Sequence, residues 1–267
     1  MSLFSAIKLL IPKKIRLYLK KLIIKVFSNY LIINEYSYIG DGLATAHNTD
    51  FITNKQFANA YNQSKKTTGA LKNHPGEDIH FRTYIACYCA KYALKIPGDF
   101  VECGVGKGML SKTIVEYLKF HKIKKRFYLI DTFNGIPIEQ ASNANEKKNM
   151  KYLNSLIYSK SYLGHIHNLF KKYRNVMIVE GRIPEVLKKT SIKKISYLSI
   201  DMNNSYAEIE AIKFLFNKIV KGGIILLDDY AYGKSFILQK TSWDKFAKTK
   251  GIQILTLPTG QGLIIKN

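Results

Sequence analysis

Three aspartates fall where buried strands are expected to end. Asp201 follows the largely apolar residues 196–200, and Asp228 and Asp229 follow residues 222–227, which are glycine and apolar. Neighbouring strands of a sheet lie about 4.8 Å apart, so carboxylates at adjacent strand ends can converge on one ion. Clustered oxygen ligands suit Mg²⁺ or Ca²⁺, with water completing the shell. The alternative is two solvated strand ends whose aspartates cap helices.

A glycine-rich loop lies within residues 98–108. A short apolar strand leads into three glycines on alternate positions, Gly104, Gly106 and Gly108, and Glu102 stands two residues before the first of them. Glycines let a ligand lie against bare backbone, and the N–H groups at the start of the next helix can bind an anionic part of it. The spacing differs from the Gly-x-Gly-x-x-Gly of dinucleotide-binding folds. It resembles motif I of class I S-adenosylmethionine (SAM) methyltransferases, although a tight strand-to-helix turn has the same pattern.

Asp131 ends the next apolar run, residues 127–130. An acid at the end of the second strand can accept hydrogen bonds from both hydroxyls of a ribose. Because this holds for NAD as well as for SAM, Asp131 indicates a nucleoside ligand without choosing between them. The alternative is a simple strand-end cap.

The elements that would position these residues alternate along the chain. A short strand is expected at the start of 98–108 and further strands at 127–131, 175–181, 196–201 and 222–229. Helices are expected at 54–66, 80–96, 109–120, 206–219 and 234–250. This alternation predicts an α/β fold with a doubly wound parallel sheet. Residues 252–258 and 261–266 flank a turn and predict a C-terminal antiparallel hairpin. The polar residues 138–160 predict a mobile insertion or lid.

Residues 1–79 precede this pattern and are expected to form a helical extension. Residues 1–29 carry seven basic residues and no acid, and from Ile15 onward apolar residues recur at helical spacing. One face of this helix is therefore apolar and the other basic, as in helices that rest on an anionic membrane. The alternative is a helix packed on the protein's own core or on a second subunit, with its lysines in water.

The net charge of +23 reflects lysine more than arginine, because only five of the 42 basic residues are arginine. Proteins that read bases favour arginine for bidentate contacts. The excess of lysine therefore favours a general compositional bias over a nucleic-acid-binding surface. The alternative is a preference for anionic partners such as a membrane, an acidic glycan or RNA. Three cysteines do not make a disulfide framework, and no apolar run reaches about 18 residues. We expect a cytoplasmic protein, peripheral at the inner membrane face if residues 1–29 bind lipid.

Six motifs together resemble the macrocin O-methyltransferase family over residues 80–267. They are GDFVECGV (98–105), DTFNGIP (131–137), EG (180–181), ID (200–201), GGIILLDDY (222–230) and PTGQ (258–261). The resemblance implies a seven-stranded class I methyltransferase sheet, SAM as methyl donor and a divalent metal, usually Mg²⁺. It also implies methylation of a hydroxyl, typically on a sugar or glycan, and a homodimer.

The resemblance assigns roles to particular residues. Asp201, Asp228 and Asp229 match the family's metal-binding acids, Asp131 matches its ribose acid, and Asp201 would also be the general base. The expected cofactor-binding residues are Glu102, Cys103, Gly104, Gly106, Gly108, Ser111, Asp131, Thr132, Phe133, Glu180, Gly181 and Asp201. The family usually reads Ile-Asp-x-Asp-x-Tyr after the fourth strand, whereas this chain has Asn203 and Ser205 in place of the second acid and the tyrosine.

The acids would have a clear purpose in such a reaction. An alcohol that attacks a methyl sulfonium must lose its proton, yet sugar hydroxyls ionise far above neutral pH. A bound cation lowers the pKa of the hydroxyl, and a nearby carboxylate can accept the proton. The sulfonium itself needs only alignment for in-line displacement.

Three other functions compete with this one. A nucleic-acid-modifying methyltransferase is motivated by the charge, but base-methylating enzymes commonly place Asn/Asp-Pro-Pro-aromatic after strand four, where this chain reads Asp201-Met202-Asn203-Asn204. A non-catalytic, membrane-associated module that binds SAM or a nucleotide would bind the cofactor without turnover. An NAD-dependent enzyme is disfavoured by the glycine spacing and by the final hairpin.

Overall fold

A computed structural model describes residues 36–73, 78–156 and 161–267, together with Ile15, Tyr18, Leu19 and Leu22. The chain divides into two compact units, Met1–Ile39 with Ala44–Thr49, and Gly40–Leu43 with Asp50–Asn267. Most of the segment 1–29, predicted to be amphipathic, lies outside the described residues. The four residues described there are helical and exposed. The predicted boundary between an extension (1–79) and a methyltransferase domain (80–267) stays a prediction.

The described helices and strands are as follows. The strands are β1 (Tyr38–Gly40), β2 (Leu43–Thr45), β3 (Asp99–Cys103), β4 (Phe127–Asp131), β5 (Val176–Glu180), β6 (Ile195–Ile200), β7 (Ile219–Leu227), β8 (Leu255–Thr256) and β9 (Gly262–Ile265). The α-helices are α1 (Lys55–Thr68), α2 (His80–Ala93), α3 (Met109–Leu118), α4 (Ala144–Leu156), α5 (Leu163–Phe170), α6 (Ser205–Leu215) and α7 (Ile237–Lys250). Short 3₁₀ turns join several of them. Across these described ranges, no helix is long and apolar enough to cross a membrane.

Seven of the described strands form one sheet in the order β5-β4-β3-β6-β7-β9-β8. Strands β3 to β7 are parallel, β9 is antiparallel to β7, and β8 is antiparallel to β9. The expected doubly wound class I methyltransferase sheet with its final antiparallel hairpin is therefore confirmed. The strand order reverses between β3 and β6, so the carboxyl ends of these two strands border the crevice where ligands bind in such sheets.

Alternate side chains of the central strands feed two separate cores. Phe100 of β3 packs with the cluster that includes α1, α2, α3 and α5, whereas the next residue, Val101, packs with the cluster that includes α6 and α7. This is the period-two pattern of a strand covered on both faces. Helices on both faces hold the strand ends in fixed positions.

The β7 strand begins earlier than the sequence predicts. Helix α6 ends at Leu215, and the strand starts at Ile219 rather than at Gly222. Its pairing with β6 shifts register between Ile195 and Tyr197, opposite the glycine pair. Gly222 has φ +76, a conformation that accommodates such a bulge. The glycines therefore lie inside the strand and do not mark its start.

The described part of the predicted insertion 138–160, which ends at residue 156, contains a helix instead of the expected polar loop. Residues 144–156 form α4, with Met150 fully buried. The Glu146 carboxylate accepts 2.7 Å hydrogen bonds from the backbone N–H groups of Ser142 and Ser205. Only a few apolar residues at helical spacing marked this helix among its asparagines and lysines. Whether it closes over a ligand stays a prediction.

Candidate active site

The glycine loop between β3 and α3 is shaped by contacts within the protein. Gly104 has φ +85, and a Cβ there would lie 1.8 Å from the backbone oxygen of Asp201. Gly108 has φ +82, and its Cβ would lie 3.2 Å from the side chain of Ile166 in α5. Close packing and positive φ therefore favour glycine at these two positions. Whether a ligand also lies against them stays a prediction. Gly106 has φ +53, and its N–H group points to Asp131.

Asp131, at the end of β4, accepts hydrogen bonds from the backbone of this loop. Its Oδ2 accepts from the N–H groups of Val105 (2.7 Å) and Gly106 (2.9 Å), and its Oδ1 accepts from the N–H of Phe133 (2.7 Å). Burial raises the pKa of Asp131, and these N–H groups oppose that rise. The carboxylate fixes the loop and lies beside the crevice.

A first cavity, here called the nucleoside cavity, opens next to Asp131. The residues that line it come from the ends of β3, β4, β5 and β6 and include Gly104, Asp131, Thr132, Gly135, Ile136, Pro137, Tyr162, Gly181, Asp201 and Asn203. Glu180 is exposed and borders an adjoining groove with Thr132 and Gly181. Six of the twelve expected cofactor residues therefore lie at this edge of the sheet.

Three of the expected cofactor residues are buried in the protein. Cys103 is fully buried in the core beside α6 and α7, and burial raises the pKa of its thiol. Ser111 lies fully buried in α3. Phe133 is also fully buried, in a left-handed conformation with φ +50. Phe133 reaches the site through its backbone N–H to Asp131. Whether these three residues contact a cofactor stays a prediction.

A second cavity, of about 330 Å³, is here called the acid cavity. Four carboxylic acids line it, Glu102 from β3, Asp201 after β6, and Asp228 and Asp229 after β7. Asp201 and Asn203 line both cavities, so the two adjoin. The wall opposite the acids includes Asn149, Tyr152, Leu153 and Leu156 of α4, and Phe236.

Arg82 of α2 is the main cation in the acid cavity, and the sequence analysis did not identify it. Its Nη1 bonds to Asp228 Oδ2 and lies 3.2 Å from Asp229 Oδ1, while its Nε lies 2.9 Å from Asp41 Oδ2. The guanidinium carbon lies 4.6 Å from the centre of the Tyr232 ring. The sequence offered one signal for Arg82. Arginine is rare in this lysine-rich chain, and its planar guanidinium suits buried ion pairs with two carboxylates.

The remaining oxygens of the cluster are partly occupied by neutral donors. Gln261, from the turn before β9, donates its Nε2 to Asp228 Oδ1 at 2.9 Å. Asn203 donates its Nδ2 to Asp201 Oδ1 at 3.2 Å and has φ +52. A left-handed backbone is uncommon for a residue other than glycine and is found at functional sites.

The acid cavity brings several carboxyl groups close together, and burial raises the pKa of three of them. Burial, with Asp228 and Asp229 nearby, raises the pKa of Asp201. Burial raises the pKa of Asp229 to about 6, even though Arg82 opposes the rise. Burial, and then Asp228, raise the pKa of Glu102, whose Oε2 has no hydrogen-bond partner in the part of the chain that the structure describes. These acids would be stabilised by a further cation.

A divalent cation fits this cavity by charge and by donor type, but not by the present positions of the side chains. Among the residues described, no three His, Cys, Asp or Glu side chains lie close enough together to hold a metal ion. Both oxygens of Asp228 are engaged, one by Arg82 and one by Gln261. Asp201 and Asp229 keep acceptor capacity, so they would hold the ion, and Asp228 would join them if Arg82 moved.

Comparison with known proteins places this geometry in a family. The family model for Macrocin-O-methyltransferase (TylF) matches residues 82–255. A tetracenomycin rhamnosyl 4'-O-methyltransferase from Streptomyces olivaceus is 24% identical over 151 residues, which are 54% of this chain and 58% of that protein. Demethyldecarbamoylnovobiocin O-methyltransferase from Streptomyces niveus is 24% identical over 141 residues, 51% of this chain and 53% of that protein. The chain thus spans about half the length of these curated relatives.

Solved structures share the fold. The O-methyltransferase NovP superposes with a TM-score of 0.64 at 17% identity, covering 80% of this chain and all of NovP. The calicheamicin methyltransferase CalS11 superposes with a TM-score of 0.53 at 14% identity, covering 82% of this chain and 94% of CalS11. Because the family match extends from Arg82 through the glycine loop and all three strand-end aspartates, the chain belongs to the macrocin O-methyltransferase family.

Proposed function

We propose that this protein is a SAM-dependent O-methyltransferase that methylates a hydroxyl of a sugar or glycan-type acceptor. The observation that carries the proposal is the pair of adjoining cavities, one beside Asp131 and one lined by acids, which meet at Asp201. Family membership supports methyl transfer, and a relative that modifies a rhamnosyl group supports a sugar acceptor. Both relatives match only about half of their length, so the acceptor must be established by experiment.

The nucleoside cavity would hold the adenosine part of SAM. Asp131 lies where a strand-end acid can bind ribose hydroxyls, and Gly135 to Pro137 with Gly181 form the wall for the base. Glu102, buried with one oxygen lacking a protein partner within the described residues, faces the acid cavity, where it can accept a hydrogen bond from the amino-acid part of SAM. Asp201 lines both cavities, so it would lie between the cofactor and the acceptor.

The acid cavity would hold the acceptor hydroxyl. Asp201 is the residue best placed to accept the proton, because it lines both cavities. Its raised pKa makes its ionised form a stronger base than an exposed aspartate. We propose that Asp201, Asp229 and Asp228 are ligands of Mg²⁺ or another divalent cation. When bound, the cation would lower the pKa of the acceptor hydroxyl. Side chains of α4, such as Leu153 and Leu156, would shield the reacting groups from water.

Calorimetric titration of SAM, S-adenosylhomocysteine and NAD into metal-stripped protein, repeated with Mg²⁺, tests the class of enzyme. We expect both sulfur ligands to bind and NAD not to bind. A heat of Mg²⁺ binding that disappears in Asp228→Ala would support the metal site and direct a screen of sugar acceptors. Failure of both sulfur ligands to bind would remove the methyltransferase proposal. Cofactor binding without turnover on any sugar or nucleic acid would favour a non-catalytic module.

We also propose that residues 1–29 contact an anionic membrane surface and that the protein forms a homodimer. The first proposal rests on seven basic residues without an acid, and the second on family resemblance alone. Co-sedimentation with vesicles containing anionic lipid at low salt tests the first. If the full chain does not co-sediment with these vesicles, the membrane proposal fails and a helix packed on the protein is favoured. Light scattering of the purified chain tests the second.

A further inference from the structure

The position of Arg82 bears directly on how the acid cavity could take up a metal. The guanidinium is buried and contacts three carboxylates, those of Asp41, Asp228 and Asp229. Its Nη1 lies against the faces of Asp228 and Asp229 that line the cavity. A cation bound between these two acids would stand next to a fixed positive charge that already uses their oxygens.

We infer that Arg82 is a built-in counter-ion that competes with a divalent cation for Asp228 and Asp229. Two like charges cannot share one small, water-poor site without strong repulsion. Binding of the metal therefore requires Nη1 to leave the two acids. The inference rests on the proposed metal-dependent reaction, and it adds a residue that sets the affinity of the metal site.

The contacts of Arg82 with Asp41 and Tyr232 do not involve Asp228 or Asp229, so they could remain if Nη1 moved away from those two acids. The Nε atom of Arg82 pairs with Asp41 Oδ2 at 2.9 Å, and Nη2 lies 3.5 Å from Asp41 Oδ1. The hydroxyl of Tyr232 donates to Asp41 Oδ1 at 3.0 Å, and the Tyr232 ring lies 4.6 Å from the guanidinium carbon. Arg82 can thus release Asp228 and Asp229 and still keep an ion pair and a cation–π contact. No buried charge would be left without a partner.

This competition predicts opposite effects for two substitutions. Arg82→Met removes the competing charge, so the acids become free for the metal. Asp41→Asn weakens the alternative partner of Arg82, so the guanidinium should stay on Asp228 and Asp229 and metal binding should weaken. A residue with a purely structural role would not change metal affinity in two directions.

The experiment is titration of Mn²⁺ into the full-length protein, read by electron paramagnetic resonance of free Mn²⁺ and by calorimetry. We expect Arg82→Met to tighten the Kd for Mn²⁺ about tenfold or more, and Asp41→Asn to weaken it about threefold or more. Lys107→Met is the matched control, because Lys107 lines the same cavity but makes no ion pair with the described acids. It should change the Kd by less than about threefold.

Several outcomes would overturn the inference. Equal tightening by Lys107→Met would show that overall charge, not competition, sets the affinity. Weaker Mn²⁺ binding by Arg82→Met, in a variant that still binds S-adenosylhomocysteine, would show that Arg82 orients the acids instead of competing for them. If Arg82→Met does not fold, Asp41→Asn alone decides by the direction of its effect. If no variant binds Mn²⁺, the metal site and the competition both fail, whereas binding of S-adenosylhomocysteine still tests the methyltransferase proposal.

Discussion

The two strand-end acids Asp131 and Asp228 are buried in very different ways. Asp131 is held by backbone N–H groups of residues 105, 106 and 133, none more than 26 positions away. Asp228 is held by the side chains of Arg82 and Gln261, which lie 146 and 33 positions away. Backbone donors are fixed once the strands have paired, whereas side-chain donors can leave. The side of the site at Asp131, which we propose for the cofactor, is therefore preset, and the side at Asp228, which we propose for the acceptor, is adjustable.

The strongest test of the preset side is Gly104→Ala. A Cβ at this position would meet the backbone oxygen of Asp201 at 1.8 Å, and the φ of +85 is itself unfavourable for alanine. We expect a loss of at least about 4 kcal/mol in the free energy of unfolding, measured by chemical denaturation. Gly164→Ala in α5 is the control, because a Cβ there meets nothing within 4 Å. Similar stabilities for the two variants would contradict a preset loop.

On the adjustable side, Asp229→Asn removes a charge from the acid cavity without changing its shape. We expect turnover to fall about 100-fold or more, with the affinity for S-adenosylhomocysteine within about threefold of wild type. Single-turnover rates and calorimetry measure the two effects. The control is Asp244→Asn, whose acid pairs with Lys240 and Tyr230 at the surface. A loss of cofactor affinity in Asp229→Asn would mean that the two sides are not separate.

The converse substitution, Asp131→Asn, should mainly weaken cofactor binding. Its amide N–H₂ would face the backbone N–H donors that now bind a carboxylate oxygen. We expect the affinity for S-adenosylhomocysteine to fall at least about tenfold, because hydrogen bonds to a charged group are lost. Calorimetry with Asp229→Asn as the reference variant measures the difference. Unchanged affinity would remove Asp131 from the cofactor site.

A third buried acid, Glu208 of α6, sharpens the comparison. Its oxygens accept from Trp243 Nε1 at 2.8 Å and from Gln239 Nε2 at 3.4 Å, both on α7. Burial raises the pKa of Glu208 to about 7, although the N–H of Trp243 opposes the rise. The folded state thus holds the proton more tightly, and the resulting stability is present below about pH 4.5 and is lost as pH rises through about 7.

Wild type should therefore lose about 1–3 kcal/mol of unfolding free energy between pH 5 and pH 8 through Glu208. Glu208→Gln, which carries no charge at either pH, should lack this part of the pH dependence. Urea denaturation at the two pH values measures it. Glu210→Gln serves as control, since Glu210 makes only a surface pair with Lys213. If the unfolding free energy depends equally on pH in wild type and Glu208→Gln, then the hydrogen bonds from α7 stabilise the ionised carboxylate as well as water does.

The features that could be predicted from the sequence are those that depend on residues close together in the chain. Buried apolar runs predicted the parallel strands, and an acid at each run's end predicted that Asp131, Asp201 and Asp228 would reach one edge of the sheet. The glycine loop was located correctly, but the close approach of Asp201 to Gly104 was not predicted, because the two residues follow strands that are far apart in the chain. Local patterns specify where a residue lies better than what it touches.

The partners of the acids could not be predicted in the same way. Arg82, Asp41 and Gln261 reach Asp228 and its neighbours only after α2, the β1–β2 turn and the final hairpin have assembled on the sheet. No spacing rule connects them. Helix α4 was missed because most of its residues are polar, and its single fully buried apolar residue, Met150, gives little periodicity. The predicted membrane segment lies mainly outside the described residues.

The hydrogen bond from Gln261 to Asp228 also sets an order of events during synthesis. The chain emerges with its N-terminus first, so β3, β4 and β5, with Asp131 and its backbone donors, can assemble while the last strands are still being made. Asp228 must wait for Gln261, which is translated 33 residues later. The acid cavity would thus be complete only after the final hairpin has been added.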